Sequence, residues 1–254
     1  MTRRNKGPGR GGQDHRRGED SHWLWGAHAV RAALANPRRK GRKLLIVGVD
    51  ADIRALAAKA KVQVETVDPA TLARALPRDA VHQGLALLAD PLEELDIQDA
   101  VESAPAPRRL LLLDQVTDPH NLGAILRSAA AFGACGVVVQ DRNSPPVTGA
   151  LAKAASGAIE VVPLIRVVNI ARTLEDLGEM GFLRLAFADE GAEPIEKVDL
   201  KRDVVLVLGA EGEGLRRLTR EKCDVTVRLP TRPQMQSLNV SNAAAVALYA
   251  CAVA

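Results

Sequence analysis

From residue 23 to residue 89 the chain alternates between two hydrophobic periods. Residues 26–34 read as a helix, 43–49 as a strand, 53–61 as a helix and 62–67 as an alternating strand; 69–76 make a short helix and 84–89 a closing strand. Such alternation within 21–90 implies a compact α/β/α sandwich. Residues 91–107 then turn to acids, Pro and Ala, and the run APAP at 104–107 predicts a stiff, extended linker and a domain boundary. A second unit, 108–254, opens on Leu110-Leu111-Leu112-Leu113-Asp114, a continuous apolar run suited to a strand buried on both faces. Asp118 as N-cap and Pro119 at the first helical position start a helix that runs through Phe132, and Gly133 stops it. Strands over 136–140, 160–168, 182–188 and 203–208 alternate with helices ending near 155 and spanning 170–179. The expected fold is therefore a mostly parallel sheet wrapped by helices on both faces. A last helix, rich in Ala and Val, opens at Ser237-Leu238-Asn239 and runs to the C-terminus; its apolar stretch 243–254 is too short to span a membrane and reads as buried.

Charge sharpens this picture. The net charge of +3 conceals a split: residues 1–43 hold 12 Lys/Arg against three acids, so the remainder is net acidic. A basic end on an acidic body points to a polyanion, RNA above all, with Arg38, Arg39, Lys40 and Arg42 as its candidate contacts; a solubilising tail is the other reading. Residues 1–20 are Gly/Arg-rich, nearly devoid of apolar side chains, and are expected to be disordered, with His15 and His22 as solvated bystanders. An aromatic share of 2% argues against base stacking on an aromatic platform. Cys135, Cys223 and Cys251 are too widely spaced for a disulfide framework or a metal knuckle, which suits a reducing cytoplasm. No apolar segment follows the basic start, so no secretory signal is expected. His28 and His82 have no metal-ligand spacing and read as structural.

Two stretches concentrate the polar chemistry. Gly209-Ala210-Glu211-Gly212-Glu213-Gly214 follows a strand and precedes a helix expected near Leu215, the setting of a dinucleotide-binding turn. Its spacing is G-x-x-G-x-G, however, and its two carboxylates would repel a pyrophosphate. A cationic or hydroxyl-bearing ligand suits it better, and a mere tight connection is the alternative. Ser237, Asn239, Ser241 and Asn242 gather at the head of the apolar last helix, either as ordinary caps or as a site. Arg127 is the only charged residue between Asn121 and Phe132, and six residues separate it from Asn121, which places the two on different helix faces. A surface arginine is the competing reading.

LDQVTDPHNLGAILRSA (113–129), GAEGEGL (209–215), and Leu229-Pro230 with SLNVS (237–241) resemble, in order and spacing, the three motifs of the SpoU (TrmH-like) ribose 2′-O-methyltransferases of the SPOUT superfamily. Trp25-Gly26-Ala27-His28-Ala29-Val30 and Val81-His82-Gln83-Gly84 are similar to that family's L30e-like, RNA-binding N-terminal domain. The resemblance implies a SPOUT α/β knot, with a trefoil knot in roughly 200–254. It also implies S-adenosylmethionine held by backbone near Gly209, Gly212, Leu229 and Leu238, and a homodimer whose sites are built across the interface. Arg127 would be catalytic, with Asn121, Glu211, Ser237 and Asn239 arranging substrate and cofactor. A guanidinium rarely releases a proton, so Arg127 fits a phosphate clamp and alkoxide stabiliser better than a base. The expected substrate is a guanosine of 23S ribosomal RNA. The alternatives are a guanosine of tRNA, or a non-catalytic role in RNA binding or ribosome assembly; a nicotinamide-dependent oxidoreductase is disfavoured by the glycine spacing. One departure stands out: Pro233 lies about where the family has a glycine, which implies a stiffer cofactor loop.

Overall fold

A computed structural model describes residues 22–142, 144–188, 193–232, 234 and 237–254. The tail 1–20 with His15, and Pro233 with its expected effect on the loop, lie outside the described residues.

The N-terminal unit consists of β1 (His22–Trp25), α1 (Ala27–Ala35), β2 (Gly41–Ile46), α2 (Ala51–Lys59), β3 (Gln63–Thr66), α3 (Pro69–Arg74) and β4 (Leu85–Ala89). The sheet order is β1-β4-β2-β3, with only β2 and β3 parallel. Period-two alternation builds both faces. Leu44, Ile46, Leu85 and Leu87 share a core with Ile53 and Ala57 of α2 and Val30 of α1. Leu45, Ala86 and Trp25 point the other way, to Leu72 and Leu76. The sandwich is as expected, but β1 is an addition: His22 belongs to a strand rather than to a solvated tail. His82 has the structural part foreseen for it, its Nδ1 accepting the Gly84 N–H at 3.1 Å.

The second unit comprises α4 (Ile97–Glu102), β5 (Arg109–Asp114), α5 (Pro119–Ala131), β6 (Gly136–Gln140), α6 (Gly149–Ala154), β7 (Leu164–Val167), α7 (Ile170–Glu179), β8 (Leu183–Phe187), β9 (Glu193–Pro194), β10 (Val204–Gly209), α8 (Arg217–Glu221), β11 (Val225–Arg228) and α9 (Val240–Val253). Among the described residues they form a seven-stranded sheet in the order β7-β6-β5-β10-β8-β11-β9, parallel throughout. Leu111, Leu113, Val137, Val139, Leu206 and Leu208 face the side of α5, α6 and α9. Leu110, Leu112, Val138, Val205 and Val207 face α7 and α4. Burial on both faces explains why β5 and β10 read as unbroken apolar runs.

Three expectations need correction. Residues 91–107 are not wholly an extended linker: Asp96 caps α4 by accepting the Asp99 N–H at 2.8 Å, and Ala100 and Val101 are buried against the parallel sheet. The strand expected over 160–168 is confined to β7, because Glu160 closes a 3-10 turn, Ala158–Glu160. Arg39 does not face RNA. Its guanidinium is fully buried and pairs with Glu160 at 2.6 Å, donates to the Asp90 carbonyl at 2.8 Å, and shares the Glu160 carboxylate with Asn36 Nδ2 at 2.8 Å. This ion pair, 121 residues apart in sequence, ties the two units together.

Their junction is close-packed elsewhere too. A Cβ on Gly149 would lie 2.0 Å from the Trp25 ring, so α6 rests directly on β1. A second buried cation fastens the chain end. The Arg109 guanidinium donates to the carbonyls of Leu200 at 2.7 Å, Arg202 at 3.0 Å and Cys251 at 3.4 Å, and so holds the C-terminal turn of α9 to the base of β5.

Candidate active site

The site lies beyond the carboxyl ends of the central strands, where open α/β sheets place ligands. β10 ends at Gly209, and residues 210–214 fold back on themselves: the Gly214 N–H donates to the Ala210 carbonyl at 2.9 Å. Gly212 and Gly214 have φ of 81° and 66°, which a side chain would strain. A Cβ on Gly209 would sit 2.2 Å from the Gly214 carbonyl carbon. The turn is therefore tight because glycine is at both of its ends.

Glu211, at the turn's tip, meets the other two motifs. Its carboxylate accepts from Asn121 Nδ2 at 3.2 Å and from Asn239 Nδ2, while Asn239 Nδ2 also donates to Asn121 Oδ1 at 3.1 Å. Each asparagine is set by a cap. Asp118 accepts the His120 N–H at 2.9 Å and starts α5, one turn before Asn121. Asn239 is itself the N-cap of α9, accepting the Ser241 N–H at 2.9 Å and its hydroxyl at 2.5 Å. Asn239 thus does two things at once: its side-chain oxygen caps α9, and its amide nitrogen faces Glu211.

Glu211 also lines a cavity of about 610 Å³. Gly209, Glu211, Gly212, Leu229, Ser237 and Leu238 line it, as the motifs implied, and residues that sequence reading missed complete it. Phe187, Ala188 and Val227 come from the ends of β8 and β11, and Arg220 from α8. The signal available for them was position alone: Phe187 and Ala188 lie at the end of β8, next to β10, Val227 lies near the end of β11, one strand further out, and Arg220 lies on the helix after the glycine turn. Arg127 is not part of this wall. It is exposed on α5 and forms no ion pair with any described residue. Arg38, Lys40 and Arg42 are exposed on the N-terminal unit, with Arg42 paired to Asp90 at 2.5 Å. No thiol competes as a nucleophile: burial pushes Cys135 up to about 11 and Cys223 up to about 12, and burial also raises Cys251.

A parallel sheet whose strand ends, glycine turn and capped helix line one cavity defines an α/β protein with a ligand-sized pocket at the carboxyl edge of its sheet. The chain belongs to the SpoU rRNA methylase family, whose model matches residues 108–249. Residues 23–95 match a second family model, RNA 2′-O ribose methyltransferase substrate binding. It is similar to the 23S rRNA (guanosine-2′-O-)-methyltransferase RlmB of Pseudomonas putida, at 39% identity over 89% of this chain and 94% of that protein. The RlmB of Ralstonia nicotianae is 40% identical over 90% and 94%. Among solved structures, the SpoU methyltransferase AviRb from Streptomyces viridochromogenes, in complex with the cofactor AdoMet, shares the fold, with a TM-score of 0.79 at 22% identity over 92% of this chain and 89% of that one.

Proposed function

We propose that this protein is an S-adenosylmethionine-dependent RNA ribose 2′-O-methyltransferase acting on a guanosine of 23S ribosomal RNA. The observation that carries the reading is the meeting of Asn121, Glu211 and Asn239, with Glu211 itself lining the cavity. The near-full-length likeness to the RlmB proteins supports the substrate.

The residues fit the cofactor. A cavity of about 610 Å³ is in the range that takes a nucleoside-sized ligand. The missing Cβ of Gly209 lets backbone come close, and carboxylates at the turn suit a sulfonium where they would repel a pyrophosphate. S-adenosylmethionine, when bound, supplies an electrophilic methyl group; the chain does the rest. Backbone at Gly209, Gly212, Leu229 and Leu238 holds the ligand, and the Asn121–Glu211–Asn239 triad with Ser237 orients the ribose edge. Arg127 clamps the neighbouring phosphate and stabilises negative charge on the 2′-oxygen as its proton passes to solvent water. A methyl group on Gly209 would overpack the turn, at a cost of about 1–3 kcal/mol. Gly209→Ala is accordingly expected to weaken S-adenosylhomocysteine binding roughly 10-fold or more; unchanged affinity by calorimetry would count against the backbone cradle.

The working form is a homodimer joined through α5 and α9, with Arg127 of one protomer completing the site of the other. In support, Val246, Tyr249 and Val253 leave an apolar stripe exposed on α9, and the Tyr249 ring meets Phe132 at the end of α5, 6.2 Å between centroids. The residues of roughly 200–254 form the trefoil knot; the late strand β10 lies between β5 and β8, and α9 returns against α5. The L30e-like unit 21–90 receives RNA on Arg38, Lys40 and Arg42 with the basic tail 1–20, and 108–254 is the methyltransferase domain. Free cysteines suit a cytoplasmic protein.

The test is transfer of radiolabelled methyl groups from S-adenosylmethionine to unmodified 23S rRNA and, separately, to tRNA, with alkali-resistant dinucleotides reporting 2′-O products. Label in 23S rRNA is expected. Label in tRNA alone would overturn the substrate, and absence of both label and cofactor binding would overturn the enzyme.

A further inference from the structure

The glycine turn has to be held at a fixed height above the cavity if Glu211 is to meet Asn121 and Asn239. Gly209 at its near end is the parallel partner of Asp114, the last residue of β5. The distal end returns to the same residue. The fully buried Asp114 carboxylate is ion-paired to Arg216, with Nη2 2.7 Å from Oδ1, and accepts from Arg216 Nε at 2.8 Å and from the Arg216 backbone N–H at 3.2 Å. Arg216 Nη2 also donates to Gln140 Oε1 at 3.2 Å, at the end of β6. One guanidinium thus spans the ends of two adjacent strands and fixes the residue just beyond the turn. From Asp114 the chain passes Gln115, held at a φ of 61°, into the cap of α5 and on to Asn121. Both ends of the turn and the helix that meets its tip therefore share one anchor.

We infer that Asp114 and Arg216 are positioning residues for cofactor binding: they touch neither ligand nor reacting atoms, and they set the height of the turn that does. The inference rests on the methyltransferase reading above. A fork of N–H donors reaching two acceptors, Asp114 Oδ1 and Gln140 Oε1, cannot be replaced by a point charge. Arg216 therefore specifies geometry as well as charge, and loss of the fork leaves the distal end on its single backbone hydrogen bond while the near end stays paired in the sheet.

The test compares the wild type with Arg216→Met and with the neutral double variant Asp114→Asn/Arg216→Met. The readouts are the Kd of S-adenosylhomocysteine by calorimetry, the melting temperature, and KM and kcat for methyl transfer. Arg216→Met alone leaves a buried carboxylate without its cation, so its melting temperature should fall; the double variant removes that charge and should regain most of the loss. The Kd should rise at least about 10-fold in both variants. KM for the cofactor should rise likewise, with kcat at saturation falling less than about threefold. If the double variant regains affinity together with stability, or if Arg216→Met binds as well as the wild type, the pair is only a brace and the inference is overturned. A wild-type protein that does not bind S-adenosylhomocysteine would overturn the proposed function itself.

Discussion

Alanine at position 127 is expected to lower methyl transfer on the order of 10²–10³-fold while leaving S-adenosylhomocysteine affinity within about threefold of the wild type. The separation follows from where the side chain lies. Arg127 is exposed on α5, is absent from the cavity wall of its own chain, and spends its charge on no described partner. A guanidinium kept free in this way can serve a phosphate or a developing alkoxide, and its removal costs nothing that the fold depends on. The proposed dimer allows a sharper version. Mixed and re-annealed Arg127→Ala and Glu211→Ala proteins, each inactive alone, should recover about a quarter of wild-type activity. Only in the heterodimer does an intact cavity meet an intact Arg127 from the other protomer. No recovery in heterodimers confirmed by mass would place Arg127 in its own chain's site, and lost cofactor binding in Arg127→Ala would remove it from catalysis.

Glu160→Ala should cost about 3–5 kcal/mol of folding stability, read from the urea midpoint. The substitution strands the Arg39 guanidinium in a fully buried position and leaves the Asn36 amide without its carboxylate. Against a typical total of about 5–15 kcal/mol, that is a large share of what keeps the chain folded. Replacing both ions by apolar side chains, Arg39→Met with Glu160→Leu, should regain most of the loss, because the cost lies in the unpaired charge rather than in the missing bond. A loss below about 1 kcal/mol for Glu160→Ala would mean that Arg39 escapes to water and that the junction of the two units does not depend on this ion pair.

Arg39 also shows where sequence reading stops. It sits in the run Arg38-Arg39-Lys40, and nothing local separates a buried cation from two solvated neighbours; only Glu160, 121 residues on, makes the difference. Glu160 was equally hidden, since its flanks Ile159, Val161 and Val162 read as strand while the carboxylate turns inward to the other unit. The elements that were legible are those with self-contained signals. β5 declared itself by an unbroken apolar run buried on both faces, and α5 by Asp118-Pro119. α7 has the bounds expected for it, Ile170–Glu179, because Asn169 caps a strongly two-sided helix. β1 and β11 were passed over: each is four residues long, and each is a strand only because a neighbour pairs with it. The site divides in the same way. Asn121, Glu211 and Asn239 were named from motifs, but their mutual hydrogen bonds, and the return of the glycine turn to Asp114, depend on sheet order.

The fastening of α9 by Arg109 has a bearing on how independently the sheet and the pocket behave. Among the described residues the strands of the large sheet all precede residue 229, whereas Ser237, Leu238, Val240 and Ala243 of the cavity wall follow it, and Arg109 at the base of β5 takes the Cys251 carbonyl of α9. A loosened α9 would therefore open one side of the pocket while the strand ladder stays paired, so binding competence can be lost well before the sheet unravels.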